Sequence, residues 1–368
     1  MINVINGPVW RGRNNYYFVE DGDLKAVDEF GDSYDRSDYF RHLIETIEND
    51  GALQGFDFVI TIRDMNDIPI KGSNTIVIII GEERFYSPSY ASDVLAIFRC
   101  MGPNHREVFP LRSDYIGLLI GLRELRRHLF MLPRGVRSMF SHAITGKRSA
   151  PVYRLPMGYS SKAEQPPPAI ETRPYDVSFI GSINPYFENS RTFRDLVGTP
   201  KSISRHRMLE NLTRYSKANP ERHIHVELTS DFGASMRSGA EHFNDILCKS
   251  KICLAPRGGS AETTRFYQGM LCGCVVISEP LPPFWFYEDA PAVFLEDWRK
   301  LGTVLDDLLS CPQRLNQLSS RTRQWWNTRC SETVVAQFIA ERVMAMRHGS
   351  SHEVGTSAPE GKDSALEC

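Results

Sequence analysis

Apolar runs without alternation recur along the chain, separated by stretches at helical spacing. Phe56 to Ile62 and NTIVIIIG at 74–81 are such runs in the first half, and YDVSFI at 175–180, Ile252 to Ala255 and Cys274 to Ile277 in the second. Apolar side chains at every position suit parallel strands covered on both faces. Tyr39 to Asn49, Arg205 to Lys217, Ala240 to Lys249 and Glu262 to Leu271 read as helices, as do Ala91 to Cys100, Trp298 to Leu309 and Pro312 to Asn327. Ile2 to Ile5 is a candidate first strand, Tyr16 to Phe18 a strand or loop, and Val152 to Met157, His223 to Leu228 and Ala292 to Leu295 further strands. Strand and helix in turn predict an α/β fold of doubly wound type, in which ligands sit beyond the carboxyl ends of the strands.

Between the two series, Ser160 to Pro174 contains QPPPA and no core residues, the composition of an extended linker. A chain of 368 residues is long for one core. Two domains are therefore expected, 1–159 and 175–330, joined by 160–174. Ile183 to Ser202 is a polar insertion, a lid or a loop, and the polar tail 348–368 reads as disordered.

A net charge of −2 argues against a generally basic face for nucleic acid. The start of the chain has no apolar signal region and no run reaches membrane-span length, so a cytoplasmic location is expected. LLIGLRELRRHL at 118–129 is basic and amphipathic, a solvated face or, alternatively, a peripheral membrane contact. The eight cysteines are not spaced as a disulfide framework and read as buried free thiols. Cys272 and Cys274 bracket one glycine with no second Cys/His pair nearby, so no metal site is expected.

The densest chemistry lies in KICLAPRGGSAETTRFYQGMLCGCVVIS, Lys251 to Ser278. Pro256 ends a strand, and Arg257, Gly258, Gly259 and Ser260 follow: a guanidinium that can fork onto phosphate beside glycines that admit close backbone approach. The next helix would turn its free N–H groups and positive dipole end toward the same place. A structural strand, turn and helix is the plainer alternative.

This stretch, with Pro282 to Phe284, resembles the donor-binding region of exostosin-type glycosyltransferases. Ser250, Cys253, Leu254, Pro256, Arg257, Gly258, Arg265, Phe266, Gly273, Cys274 and Phe284 fall on that family's pattern, over about residues 175 to 300. Two positions depart from it: Gln268 stands where the family has glutamate, and Val276 where it has proline. The resemblance implies a GT-B fold, two Rossmann-like domains facing a central cleft, with the helix in 331–347 packing back toward the first domain. It implies a nucleotide-sugar donor, a UDP-sugar, and a glycan or glycolipid acceptor. Arg257, Gly258, Gly259, Ser260, Glu262 and Arg265 would then meet the donor, Gly181 and Ser182 would lie at the cleft, and Gln268 would take the ribose role of the glutamate. On that basis Gln268→Glu is expected to leave turnover similar and donor affinity level or better.

Guanidinium groups and a helix end can neutralise a departing diphosphate, and the chain has no Asp-x-Asp, so no metal or other cofactor is expected. An inverting transfer needs a general base near the acceptor hydroxyl. Glu83, Glu82 and Asp64 each follow a buried run and are the candidates, with His142, Asp67 and the Arg13 loop behind them. A non-catalytic nucleotide- or glycan-binding protein is the alternative, supported by Gln268. An oxidoreductase is set aside for want of a Gly-x-Gly-x-x-Gly after the first strand.

Overall fold

The apolar runs become the middle of two parallel sheets. In this computed structural model the described residues are 9–20, 23–25, 37–62, 68–81, 88–101, 118–119, 121–122, 125, 149–162, 166–183, 199–229 and 240–347. The Ile2 to Ile5 strand, most of 118–129 and the tail 348–368 lie outside them.

The first sheet contains β1 (Trp10–Arg11), β2 (Asn15–Glu20), β3 (Asp23–Leu24), β4 (Asp57–Thr61), β5 (Gly72–Ile79), β6 (Val94–Arg99) and β7 (Val152–Arg154). Its order is β1-β2-β4-β5-β6-β7, with β3 on β2. Along β2-β4-β5-β6-β7 every pairing is parallel, while β1 and β3 pair antiparallel with β2. β6 corrects the helix expected over Ala91 to Cys100. VLAIFR has no polar stripe for a helix to expose, and between β5 and β7 its side chains are covered on both faces. Tyr16 to Phe18 is strand, in β2.

The second sheet holds β8 (Tyr175–Gly181), β9 (Ile224–Leu228), β10 (Ser250–Ala255), β11 (Val275–Ser278) and β12 (Val293–Phe294), in the order β12-β11-β10-β8-β9 and parallel throughout. Its helices are α2 (Pro200–Ala218), α3 (Ala240–Cys248) and α4 (Thr264–Leu271). After β12 come α5 (Leu301–Leu309), α6 (Pro312–Trp325) and α7 (Glu332–Arg347), while α1 (Ser37–Asp50) precedes β4. α2 starts five residues earlier than its apolar spacing indicates. Thr199 caps it reciprocally with Ser202, and Pro200 fills the first turn. No helix among the described residues is long and apolar enough to cross a membrane.

One apolar cluster runs from Phe58, Ile60 and Ile76 of the first sheet, through Leu43 of α1 and Val335 and Ile339 of α7, to Cys253, Phe266 and Val276 of the second. α7 thereby packs on α1, and Arg347 lies over the Phe56 ring at 4.9 Å. The chain leaves the first sheet through Gly158, whose φ of +72° and approach to Tyr39 exclude a side chain: a Cβ would lie 2.2 Å from that ring. Tyr39 in turn donates its hydroxyl to the Cys330 carbonyl at 2.7 Å.

Beside it, Glu332 at the start of α7 accepts from the Tyr159 hydroxyl and from Lys162 Nζ at 2.7 Å. Burial alone would raise the Glu332 pKa, but these bonds and one from its own backbone outweigh it and hold the carboxyl below its usual 4.5. A depressed carboxyl stabilises the fold above its unfolded pKa and loses that contribution as pH falls through the folded one. The stability gap between wild type and Glu332→Gln should therefore narrow between about pH 5 and pH 3. Urea midpoints across that range measure it, and a constant gap would count against the link.

Candidate functional site

The second sheet has a reversal of winding. The chain builds β8, steps out to β9, then returns to the other side of β8 to lay down β10, β11 and β12. Loops leaving β8 and β10 must therefore diverge, opening a crevice at the carboxyl ends of these two strands, where doubly wound sheets take their ligands. Gly181 and Ser182 follow β8, and Pro256 to Ser260 follow β10. From Ile252 to Met270 every residue is buried except Gly258 to Ala261, so solvent reaches this region at the turn. Gly258 has an ordinary φ, and a Cβ there would come no closer than 3.5 Å to its neighbours. The fold itself does not demand a glycine at that position.

Arg265 crosses from α4 to the β8 turn. It is only 9% exposed and donates from Nε to the Ile180 carbonyl at 2.7 Å, with its guanidinium 4.8 Å from the Phe179 ring. Gly181, at φ +152°, gives it room: a Cβ would lie 2.1 Å from Nη2. Nη1 is buried without a hydrogen-bond partner, and no acidic side chain pairs with this cation among the described residues. Burial pushes its pKa down to about 10. A buried cation with an unmet donor is costly unless something anionic completes it.

Arg257, 8% exposed, has a neighbour of opposite charge: its Nη1 lies 3.9 Å from Glu279 Oε2, just past β11. Glu279 is itself held from the other side, accepting from the Ser204 hydroxyl and from the Trp298 indole at 3.0 Å. The pair sets Arg257 at the strand ends and neutralises part of its charge. Arg205 of α2 then spans the two turns, donating from Nε to the Arg257 carbonyl at 3.1 Å and from Nη1 to the Ser182 carbonyl at 2.6 Å. Residues 204 and 205 thus touch the ends of β8, β10 and β11. Sequence reasoning missed Arg205 and Glu279. Glu279 follows directly on the apolar run of β11, which was the available signal, whereas Arg205 stands in a polar stretch of α2 that nothing in the sequence singles out.

α4 begins at Thr264, capped by Thr263, whose hydroxyl accepts from the Phe266 amide. Glu262, expected within this helix, precedes it and is buried, accepting from the Tyr287 hydroxyl at 2.9 Å. Ser260 and Gly259 are half-buried in the turn. Gln268 is fully buried and turned toward the linker. Its Oε1 accepts from the Ser160 amide at 3.2 Å, while Nε2 donates to the Ser161 carbonyl at 2.8 Å and to Asn244 Oδ1. Both amide atoms are spent on holding the linker to α3 and α4. Gly181, Ser182, Arg257, Gly258 and Arg265 are therefore brought together at one crevice, and Gln268 is used elsewhere. Asp64, Glu82, Glu83, Asp67 and His142 lie outside the described residues. The Arg13 loop binds Glu48 of α1 through the Arg13 amide at 2.7 Å.

No family model matches this chain, and no curated protein does. Among solved structures, sucrose-phosphate synthase from Thermosynechococcus elongatus is similar over 92% of this chain and 100% of its own, at 12% identity and a TM-score of 0.49. HepE from Anabaena, solved in complex with UDP, is similar over 90% and 99%, at 10% identity and a TM-score of 0.38. The GtfA/B complex is similar over 76% of this chain, which spans 58% of that one's length, at 10% identity and a TM-score of 0.40. These likenesses carry no activity over to the present protein.

Proposed function

We propose that the protein is a GT-B glycosyltransferase that moves a sugar from a nucleotide-sugar donor, a UDP-sugar, to a glycan or glycolipid acceptor. The observation that carries this is the crevice between β8 and β10, where a guanidinium with no acidic partner among the described residues, a second guanidinium and a helix N-terminus converge. Such a place suits a diphosphate. The exostosin resemblance of residues 250–284 points to the same donor and to inversion at the transferred sugar. Residues 1–159 would form the acceptor side and 175–330 the donor side. The general base is sought among Asp64, Glu82 and Glu83, which follow β4 and β5 in the sequence.

Arg257 and Arg265 would stabilise the negative charge that builds on the departing diphosphate, in place of a divalent ion. UDP-, GDP-, CMP- and dTDP-sugars should be compared by thermal shift, with and without EDTA. A nucleotide present at a hundred times its dissociation constant stabilises the fold by about 2.7 kcal/mol. UDP-sugars are expected to do so with EDTA present. No shift with any nucleotide would overturn the donor site, and loss of activity on chelation with recovery by manganese would overturn metal independence. The second reading, a binder without turnover, is favoured by the commitment of Gln268 to the linker. Slow UDP-sugar hydrolysis that depends on Arg257 would exclude it.

A further inference from the structure

A sheet edge offers unpaired backbone groups to another chain, and proteins commonly limit that by keeping edge strands short. At the sheet ends of this fold β1, β3 and β12 have two residues each and β7 has three. β9 is the exception. It is five residues long, IHVEL, holds no proline or lysine, and has no strand beyond it among the described residues.

The bonds between β9 and β8 fix which backbone groups face outward. The His223 carbonyl accepts from the Val177 amide at 3.4 Å, and the Thr229 amide donates to the Gly181 carbonyl at 3.3 Å. A strand turns both backbone groups of one residue to one side and those of the next to the other. Ile224, Val226 and Leu228 therefore turn theirs away from β8. Their side chains share one face of the strand. Val226 is 40% and Leu228 50% exposed, while Ile224 packs beside Val177 and Met208. On the opposite face Glu227 lies 2.8 Å from His242 Nε2 of α3, and the His225 ring centres 4.9 Å from that of Tyr175. His225 Nε2 is buried without a hydrogen-bond partner, 3.7 Å from Glu227 Oε2.

This edge is complementary to itself. Set antiparallel against a second copy about Val226, it brings Val226 opposite Val226, Ile224 opposite Leu228 and His225 opposite Glu227. The outward groups of 224, 226 and 228 then meet as hydrogen-bonded pairs, about six bonds in all, and His225 and Glu227 fall in the closer, non-hydrogen-bonded pairs. Apolar side chains cover the exposed stripe, and the unmet His225 nitrogen gains a carboxylate across the strand. Moving the centre by one residue sets His225 against His225 or Glu227 against Glu227, which forfeits that match.

We propose that β9 is a homodimer contact, where two copies of this chain pair antiparallel about Val226 and their five-stranded sheets become one continuous sheet. The test uses the full chain. Its mass by analytical ultracentrifugation should climb from the 41.9 kDa of one chain toward twice that value as concentration rises. A short edge buries little area, so the series runs from about 1 to about 200 µM. In the same wild-type protein, hydrogen exchange of a peptide covering 223–229 should slow by about three amides at the upper end, those of Ile224, Val226 and Leu228. Val226→Lys opposes two ammonium groups at the centre and should keep the chain monomeric, with an unchanged melt in dilute solution. Val226→Cys should form a disulfide between copies on mild oxidation. Leu228→Cys should form none with its counterpart, which lies about 13 Å further along the strand. A wild-type chain that stays monomeric at the top of the series overturns the proposal. So does a dimer whose 223–229 peptide exchanges as in the monomer, one that Val226→Lys leaves intact, or one that links through Leu228→Cys and not through Val226→Cys. The two wild-type measurements decide the matter even if a variant fails to fold.

Discussion

Gln268→Glu is expected to unfold well below the wild-type temperature. The side-chain amide donates to two acceptors, the Ser161 carbonyl and Asn244 Oδ1, inside a region without solvent. A glutamate has no hydrogen to give either one when ionised, and would set a buried charge against two oxygens. Breaking a buried polar network in this way costs at least about 3 kcal/mol, because the remaining groups are left unmet. Protonation would restore one donation but costs free energy at neutral pH. The family pattern suggests the opposite, a substitution that improves the donor site. A thermal melt separates the two: a loss of roughly 6 °C or more is expected for a chain of this size. An unchanged midpoint with tighter UDP binding would return Gln268 to the ribose.

This contrast shows where sequence was legible and where it was not. The central strands were legible because a parallel strand covered on both faces needs an unbroken apolar run, and Ile252 to Ala255 and Ile76 to Ile79 have one. The turn at Arg257 was legible because strand, glycines and helix follow each other within a few residues. β6 was not, since a short apolar run such as VLAIFR fits a strand or a buried helix equally until its neighbours are known. The bonds of Gln268 to the linker join residues more than a hundred positions apart, and those of Arg205 reach 23 and 52 positions away. No local pattern encodes them. Periodicity reports which face of an element is covered, and is silent on which distant carbonyl a buried donor meets.

Arg265 and Arg257 should part company when each is removed, because among the described residues only Arg257 has a carboxylate beside it. Arg265→Met takes away a buried cation whose Nη1 has no partner and which burial already strains. It forfeits the bond to Ile180 and the contact with Phe179, about 1 kcal/mol each. Against that loss, burying an apolar side chain in place of an unpaired ion is often neutral or stabilising by about 1–4 kcal/mol. The variant should be at least as stable as wild type to within about 1 kcal/mol, while turnover with a UDP-sugar falls on the order of a hundredfold, as for loss of a preorganised donor. Arg257→Ala should lose turnover to a similar degree but also destabilise the fold, since Glu279 would stay buried without its cation. A cost of about 1–3 kcal/mol is expected, the Ser204 and Trp298 bonds softening it. Chemical denaturation and steady-state kinetics on both variants give the four numbers required. If Arg265→Met unfolds easily, the guanidinium is structural, and the crevice between β8 and β10 loses the charge that marks it as a diphosphate site.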